Sequence, residues 1–273
     1  MGLFEGKKGL ILGVANDRSI AWAIADKIMS EGGECGFTHL PDREDDERKK
    51  NRRRVEKCFS KTEHSPKFLV PMDVQNDDHI AAVIETAKNE FGKIDFLLHS
   101  MAYADRADLN DTIDCSRDGF KMAMDISCYS LIALTKAAQP ILNENASIAC
   151  MTYFGGEKIV AGYNMMGICK AALEATMRYL AYELGPSGTR VNALSAGPLK
   201  TLASQAVGAH GMLKMNEMVA PLNRNITHAE VGNAGAYLLS DMAAGITGEV
   251  LHIDGGYNAM GSPGRLIDAL PKE

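Results

Sequence analysis

The sequence contains no run of ~18 apolar residues, the minimum for a helix that crosses a bilayer, so no membrane span is expected. It has no C-x-x-C pair: the six cysteines, at 35, 58, 115, 128, 150 and 169, are scattered singly. That spacing excludes a disulfide framework and fits reduced, mostly buried thiols in a cytoplasmic protein. The seven histidines (39, 64, 79, 99, 210, 228 and 252) show no pairing at metal-ligand spacing, and no metal site is expected. Excess positive charge is also missing. A formal charge of −6 argues against general affinity for nucleic acid or anionic lipid, though a local basic patch for an acidic carrier remains compatible with it. The chain enters a strand-like run at Gly9–Val14 with no long hydrophobic region, so targeting is not expected, and Met1-Gly2 lacks the Ser or Thr at position 6 of a myristoylation start. No low-complexity linker or internal repeat divides the chain.

With 273 residues, 46% of them hydrophobic and 23% charged, there is ample material for one large core. Short, nearly uniformly apolar runs at Gly9–Gly13, Glu34–His39, Lys67–Met72, Ile94–His99, Ala146–Thr152, Arg190–Ser195 and Val250–Asp254 predict strands covered on both faces. Between them, Ile20, Ile24 and Ile28 mark one helical stripe; Ile80, Val83, Ile84 and Ala87 mark another. Thr227 and Glu230 predict a capping box opening a late helix. This alternation predicts an α/β fold: a single Rossmann-type, doubly wound domain over 1–273, with a seven-stranded parallel sheet and helices on both faces. The stretch Asp42–Lys57 is acidic and then basic. It predicts a solvated helix with acids in its N-terminal half and bases in its C-terminal half, as the macrodipole prefers.

The chemistry concentrates between Met151 and Leu173. Tyr163 and Lys170 are seven residues apart, about two turns of a 3.6-residue helix, and so share a face, with Tyr153 at the end of the preceding strand. An ammonium beside a phenol favours the phenolate, which makes the pair a proton-donating candidate. The first strand runs into Gly13-Val-Ala-Asn-Asp-Arg-Ser19-Ile20-Ala21, where the glycine permits a sharp turn and a helix N-terminus can meet a pyrophosphate. The second and third glycines of the usual dinucleotide fingerprint are replaced by Ala15 and Ser19. Asp73, Ser100-Met101-Ala102 and Ser195-Ala196-Gly197-Pro198 end further strands, the edge at which open α/β sheets bind ligands.

These residues resemble the short-chain dehydrogenase/reductases, and within them the enoyl-acyl-carrier-protein reductases of bacterial type II fatty-acid synthesis. The likeness covers nearly the whole chain. It includes the Gly13…Ser19-Ile20-Ala21 turn, His99-Ser100, Asp125-Ile-Ser-Cys-Tyr-Ser130 and Tyr163-Asn-Met-Met-Gly-Ile-Cys-Lys170. It continues through Arg190-Val-Asn-Ala-Leu-Ser-Ala-Gly-Pro-Leu-Lys-Thr201 and Gly248-Glu-Val-Leu-His-Ile-Asp-Gly-Gly256.

Carbonyl-reducing relatives keep Tyr and Lys four residues apart, whereas the enoyl reductases have this seven-residue step. The resemblance implies hydride addition to the β-carbon of an enoyl thioester, the last step of the elongation cycle. It implies that Tyr163 stabilises the enolate oxygen, that Lys170 holds the nicotinamide ribose, and that Tyr153 lines the acyl pocket near the thioester. It further implies cofactor contacts at Gly13, Ser19, Ile20, Leu40, Asp73, Val74, Ser100, Met101, Ala196, Pro198, Leu199, Lys200, Thr201, Leu202 and Ala203. Substrate contacts are implied at Ala104, Tyr153, Tyr163 and Met166, under a covering helix over 201–219. Cys169, beside Lys170 in sequence, faces ~100° away and is expected to pack away from the cofactor.

The second strand ends His39-Leu40-Pro41-Asp42-Arg43. With no base at 40 or 41, and with Asp42 placed to repel a 2′-phosphate, NADH is favoured, while Arg43 keeps NADPH open. Two other readings compete: a 3-oxoacyl or other carbonyl reductase on the same scaffold, and a non-catalytic nucleotide sensor. The wide Tyr–Lys step counts against the first, and the presence of both tyrosines with the lysine counts against the second. The expected partners are an acyl-carrier protein bearing the substrate and three further copies of the chain in a homotetramer. Surplus apolar residues in the helices Ser127–Leu142 and Tyr163–Leu184 are compatible with that assembly.

Overall fold

The computed structural model describes residues 2–201 and 209–269. Leu202, Ala203 and the 202–208 part of the expected covering segment lie outside the described residues.

Seven strands form one parallel sheet: β1 (Lys8–Leu12), β2 (Glu34–His39), β3 (Phe68–Pro71), β4 (Ile94–His99), β5 (Leu142–Thr152), β6 (Arg190–Ala196) and β7 (Val250–Ile253). Their spatial order is β3-β2-β1-β4-β5-β6-β7, so the winding reverses between β1 and β4. The connecting helices are α1 (Ile20–Ser30), α2 (Lys50–Phe59), α3 (Asp77–Phe91), α4 (Arg117–Met124), α5 (Ser130–Ala138), α6 (Asn164–Leu184), α7 (Ala209–Val219) and α8 (His228–Leu239).

The uniform apolarity of the central strands reflects two separate cores. Ile11, Phe37, Phe96 and Leu98 pack with α1 and α8 on one face. Leu10, Leu12, Leu97 and Ile148 pack with α3, α5 and α6 on the other. Alternate residues of one strand thus enter opposite cores, as a pleated strand with both faces covered requires. The predicted stripes face these cores: Ile24, Ile28, Ile80, Val83 and Ala87 are buried, with Ile20 and Ile84 at the margins.

Local signals set the helix ends. The Asn76 side chain accepts from the amides of Asp78 and His79 to open α3, and Gly92, at φ 75°, follows its last residue. The Thr227–Glu230 capping box forms at α8, and Arg224 makes two bonds to the same Glu230, at 3.0 and 2.6 Å. Arg190 on β6 fixes the other end of α8, donating to the carbonyls of Leu238 and Ser240 at 2.9 Å each.

Three expectations are corrected. The charged stretch is helical only from Lys50, and no acid lies in the first turn of α2. The acids instead sit in the preceding loop and reach the helix from outside. Asp42 accepts from the amides of Asn51 (2.6 Å) and Arg52 (3.3 Å), and Asp46 accepts from those of Arg48 and Lys50. Second, β5 begins at Leu142 rather than Ala146. It pairs Leu142 with Ile94, then shifts register near Asn145, whose φ of 62° interrupts the pleat. Third, the helix expected over Ser127–Leu142 is confined to α5, after which Gln139–Ile141 tightens into a 3₁₀ turn containing Pro140. A π-helical turn at Asp125–Tyr129 joins α4 to α5; nothing in the hydrophobic period announces it.

Candidate active site

Because all seven strands are parallel, their carboxyl ends share one edge, and the reversal between β1 and β4 opens a crevice there. Gly13 lines it, with a φ of 102°. A Cβ at that position would lie 2.0 Å from the Ser100 carbonyl oxygen, so only glycine lets the β1 and β4 ends approach this closely. The Ser100 amide seals the contact with a 3.0 Å bond to the Leu12 carbonyl. The Ser19 hydroxyl accepts from the amides of Ala15 (3.0 Å) and Asn16 (3.1 Å), which folds the turn back on itself. It makes no side-chain cap on α1, whose first turn therefore opens without one, next to Ile20.

The other predicted cofactor positions lie along the same edge. Leu40 is 62% exposed at the end of β2. Asp73, after β3, accepts from the Gln75 amide at 3.0 Å, while Val74 and Met101 pack against the α3–α5 core. At the end of β6, Ala196 and Leu199 are buried, Pro198 is half-buried and Lys200 is exposed. The Gly197 amide donates to the Ile253 carbonyl at 2.8 Å, and the Thr201 amide to the Leu199 carbonyl at 2.9 Å. A cleft of about 580 Å³ begins at Leu199 and Lys200 and extends along α7 past Leu213 and Lys214.

Tyr163 ends the loop into α6, and its ring meets that of Tyr153 edge-on, with centroids 4.7 Å apart. Gly155 makes this possible: a Cβ there would lie 2.4 Å from the Tyr163 ring. Asn164, at φ 36°, donates to the carbonyls of Leu109 (3.3 Å) and Asn110 (2.7 Å), tying the start of α6 to the loop after β4. Ala104 from that loop joins Tyr163, Met165, Met166 and Cys169 in one small apolar cluster. The four residues expected to touch substrate are therefore neighbours: Ala104, Tyr163 and Met166 in this cluster, and Tyr153 beside it through the Tyr163 ring.

Electrostatically, the site departs from expectation. Burial holds the Tyr163 phenol above its usual range, and the nearby Tyr153, Cys169 and Glu174 push the same way. The Lys170 ammonium is instead directed at β5, donating to the Met151 carbonyl at 2.8 Å. Tyr163 is thus a neutral donor, and not the partly ionised phenol that a facing cation would produce. Burial also pushes Tyr153 up to about 12, with Tyr257 and Asp254 adding to it. Lys170 is only 5% exposed, and burial lowers its pKa. Cys169 is fully buried in the cluster with Tyr163 and Met166, and burial raises its thiol to about 11, a poor nucleophile.

Sequence reasoning left several neighbours unassigned. Glu174, one turn beyond Lys170, is 3% exposed, and its Oε1 accepts from the Thr152 hydroxyl at 2.5 Å. The Lys170-to-Glu174 spacing of four residues was a usable signal; the depth of burial was not. His99 is buried at the end of β4, with Nε2 2.7 Å from the Ser130 oxygen. Ser130 gives its own hydrogen to the Ile126 carbonyl, so Nε2 must be the protonated nitrogen. Burial and the Lys170 charge depress that imidazole to about 3, which keeps it neutral. Among the described residues, no three His, Cys, Asp or Glu gather as a metal-binding group, and no helix is long and apolar enough to cross a membrane.

The family model for enoyl-(acyl carrier protein) reductase matches residues 13–258. The chain is 47% identical over 260 residues to the NADH enoyl-[acyl-carrier-protein] reductase of Nostoc sp., an alignment covering 94% of this chain and 98% of that one. It is 43% identical to the crystal structure of the Aquifex aeolicus NADH enoyl reductase, with a TM-score of 0.89 over 96% of this chain and 100% of that one. A Bacillus cereus enoyl reductase, crystallised with NADP+ and an indole naphthyridinone, is 42% identical at a TM-score of 0.90, covering 96% and 100%. With the model spanning most of the chain and relatives this similar along nearly all of it, the protein belongs to the enoyl-acyl-carrier-protein reductases.

Proposed function

We propose that the protein reduces the trans-2 double bond of an enoyl-acyl-carrier-protein, with Tyr163, Tyr153 and Lys170 as its working side chains. The observation that carries this assignment is the edge-on Tyr153–Tyr163 pair, packed against the cluster that contains Ala104 and Met166. The narrow Gly13–Ser100 contact and the cleft from Leu199 fit a flat dinucleotide lying along the strand ends. When bound, NADH supplies the hydride that adds to the β-carbon of the thioester. Gly13, Ser19 and Ile20 would hold its phosphates, Asp73 and Val74 its adenine, and Ser100, Met101 and Ala196 through Ala203 the rest. Lys170 would hold the ribose hydroxyls.

As charge builds on the thioester oxygen, Tyr163 donates a hydrogen bond to it. Burial strengthens that bond and keeps the donor hydrogen in place at neutral pH. The Met166–Cys169 cluster gives the acyl chain an apolar wall, and Tyr153 bounds the pocket on the β5 side. NADH is the favoured donor. Leu40 offers nothing to a 2′-phosphate, and Asp42 screens the amides that open α2 from one. The test compares NADH oxidation with crotonyl and acetoacetyl thioesters. Crotonyl turnover is expected, and turnover of the acetoacetyl substrate alone would establish the carbonyl reductase instead.

The reading extends to a cytoplasmic homotetramer working on an acyl-carrier protein. Its six free cysteines fit that compartment. Tyr129, Ile132 and Ile168 are each more than a third exposed, and Tyr179 and Tyr182 are 71% and 84% exposed, all on the α5–α6 side. Exposed apolar and aromatic side chains on two neighbouring helices are what contact between copies of the chain would cover. Light scattering is expected to give four times the 29.5 kDa chain mass, and Tyr182→Glu to lower it. A wild-type monomer would remove the tetramer.

A further inference from the structure

Helix α6 and the Tyr163 that precedes it hold the end of β5 at three successive residues, Met151, Thr152 and the following Tyr153. Lys170 binds the Met151 carbonyl at 2.8 Å, Glu174 binds the Thr152 hydroxyl at 2.5 Å, and Tyr163 packs on Tyr153 at 4.7 Å. Two of these contacts are polar, and both polar side chains are buried, which is rare for Lys and Glu without mutual compensation. The loop above them passes as bare backbone at Gly156, where a Cβ would lie 2.6 Å from Glu174 Oε1 and 3.0 Å from the Lys170 carbonyl carbon. That glycine lets the loop close directly over the pair. A lysine and a glutamate four residues apart lie on one helix face.

We propose that Glu174 is a positioning residue for the reducing site, its buried carboxylate acting as the counter-charge to Lys170 while it anchors the strand end through Thr152. This rests on the reading that Lys170 holds the nicotinamide ribose. The groups facing Lys170 are Cys150 on β5, Cys169 and Glu174 on α6, Cys128 on the π turn and His99 on β4. Of these, Glu174 is the one carboxylate: His99 is neutral and the buried thiols Cys150 and Cys169 are protonated. The groups acting most strongly on Glu174 are Thr152 on β5, Glu157 in the loop, Arg178 on α6 and His252 on β7; Lys170 makes no direct ion pair with it, and the two charges act on each other across the buried interior. His252 is itself engaged with Glu157 at 2.6 Å.

Three substitutions separate charge from anchoring. Glu174→Gln keeps an acceptor for Thr152 and removes the charge, Glu174→Leu removes both, and Thr152→Val removes the donor alone. NADH affinity is read by nicotinamide fluorescence between about pH 6 and 10, with Tm measured beside it. In wild type, affinity falls on the alkaline side as Lys170 loses its proton. Glu174→Gln and Glu174→Leu should move that fall to lower pH by about one unit, because a lost anion favours the neutral amine. Thr152→Val should leave it in place and lower Tm. A fall that stays put in the charge-removing variants makes Glu174 a packing residue only and overturns the proposal. If Lys170→Met leaves NADH affinity unchanged, the ribose reading and the proposal fall together. If that variant weakens NADH while the alkaline fall is unmoved by Glu174→Gln, the proposal alone falls.

Discussion

Tyr163→Phe should slow turnover of a crotonyl thioester by on the order of 10²–10³-fold, the usual cost of losing one donor to a developing oxyanion. NADH affinity should change by less than about threefold, because a group acting only in the transition state contributes little to ground-state binding. The substitution is unusually clean. Phenylalanine preserves the edge-on packing against Tyr153 and the close passage of Gly155, so only the hydroxyl is lost. Tyr153→Phe should cost far less, on the order of tenfold, if its hydroxyl merely borders the pocket. Stopped-flow measurement of both variants decides the roles. A Tyr163→Phe enzyme that keeps a third or more of wild-type kcat, or a Tyr153→Phe enzyme that is the slower of the two, would remove Tyr163 from its assigned place. The phenol's pKa lies above the ordinary tyrosine value, so its donor hydrogen persists throughout the neutral range.

The reversal of one electrostatic expectation marks where sequence reasoning stops. The seven-residue step between Tyr163 and Lys170 is legible, and so is their common face. Whether the ammonium or desolvation controls the phenol depends on where each side chain is directed. Lys170 turns to the Met151 carbonyl, which the helical period does not reveal. Glu174 was hidden for the same reason. On a helix wheel it is an unremarkable carboxylate, and its burial arises from Thr152 on a strand 22 residues earlier and from Gly156 in the loop between.

The strands, by contrast, were readable because burial on both faces leaves a one-dimensional signature of continuous apolar runs. The α8 capping box was readable because it is local. The start of α2 was not. Its N-terminal amides are satisfied by Asp42, some nine residues upstream of Asn51, so charge order along the chain misplaced the boundary. The π turn at Asp125–Tyr129 left no trace in composition. It carries Ile126, whose carbonyl fixes the Ser130 hydroxyl and through it the Nε2-protonated tautomer of His99.

Lys170→Met should weaken NADH binding by roughly ten- to a hundredfold, the equivalent of one or two charged hydrogen bonds to ribose hydroxyls. The same change should lower Tm by a few degrees at most, because it leaves the buried Met151 carbonyl without its donor. Methionine matches the lysine stem in length and fills its buried channel without an ammonium, whose desolvation costs several kcal/mol before its partners offset it. Glu174, held above the usual carboxylate range by burial, keeps its bond from the Thr152 hydroxyl in this variant. The pH dependence has a definite sign. The folded-state pKa of Lys170 lies below its unfolded value of about 10.4, so between the two the unfolded chain carries the extra proton and stability rises with pH. Wild type gains this increment on going alkaline and the methionine variant does not. The stability cost of Lys170→Met should therefore be smallest near neutrality and grow toward pH ~10. Urea unfolding of both proteins at the two pH values measures the difference directly. A variant that loses NADH affinity only in proportion to a large loss of stability would show that Lys170 is a structural lysine, held for packing and not for the cofactor.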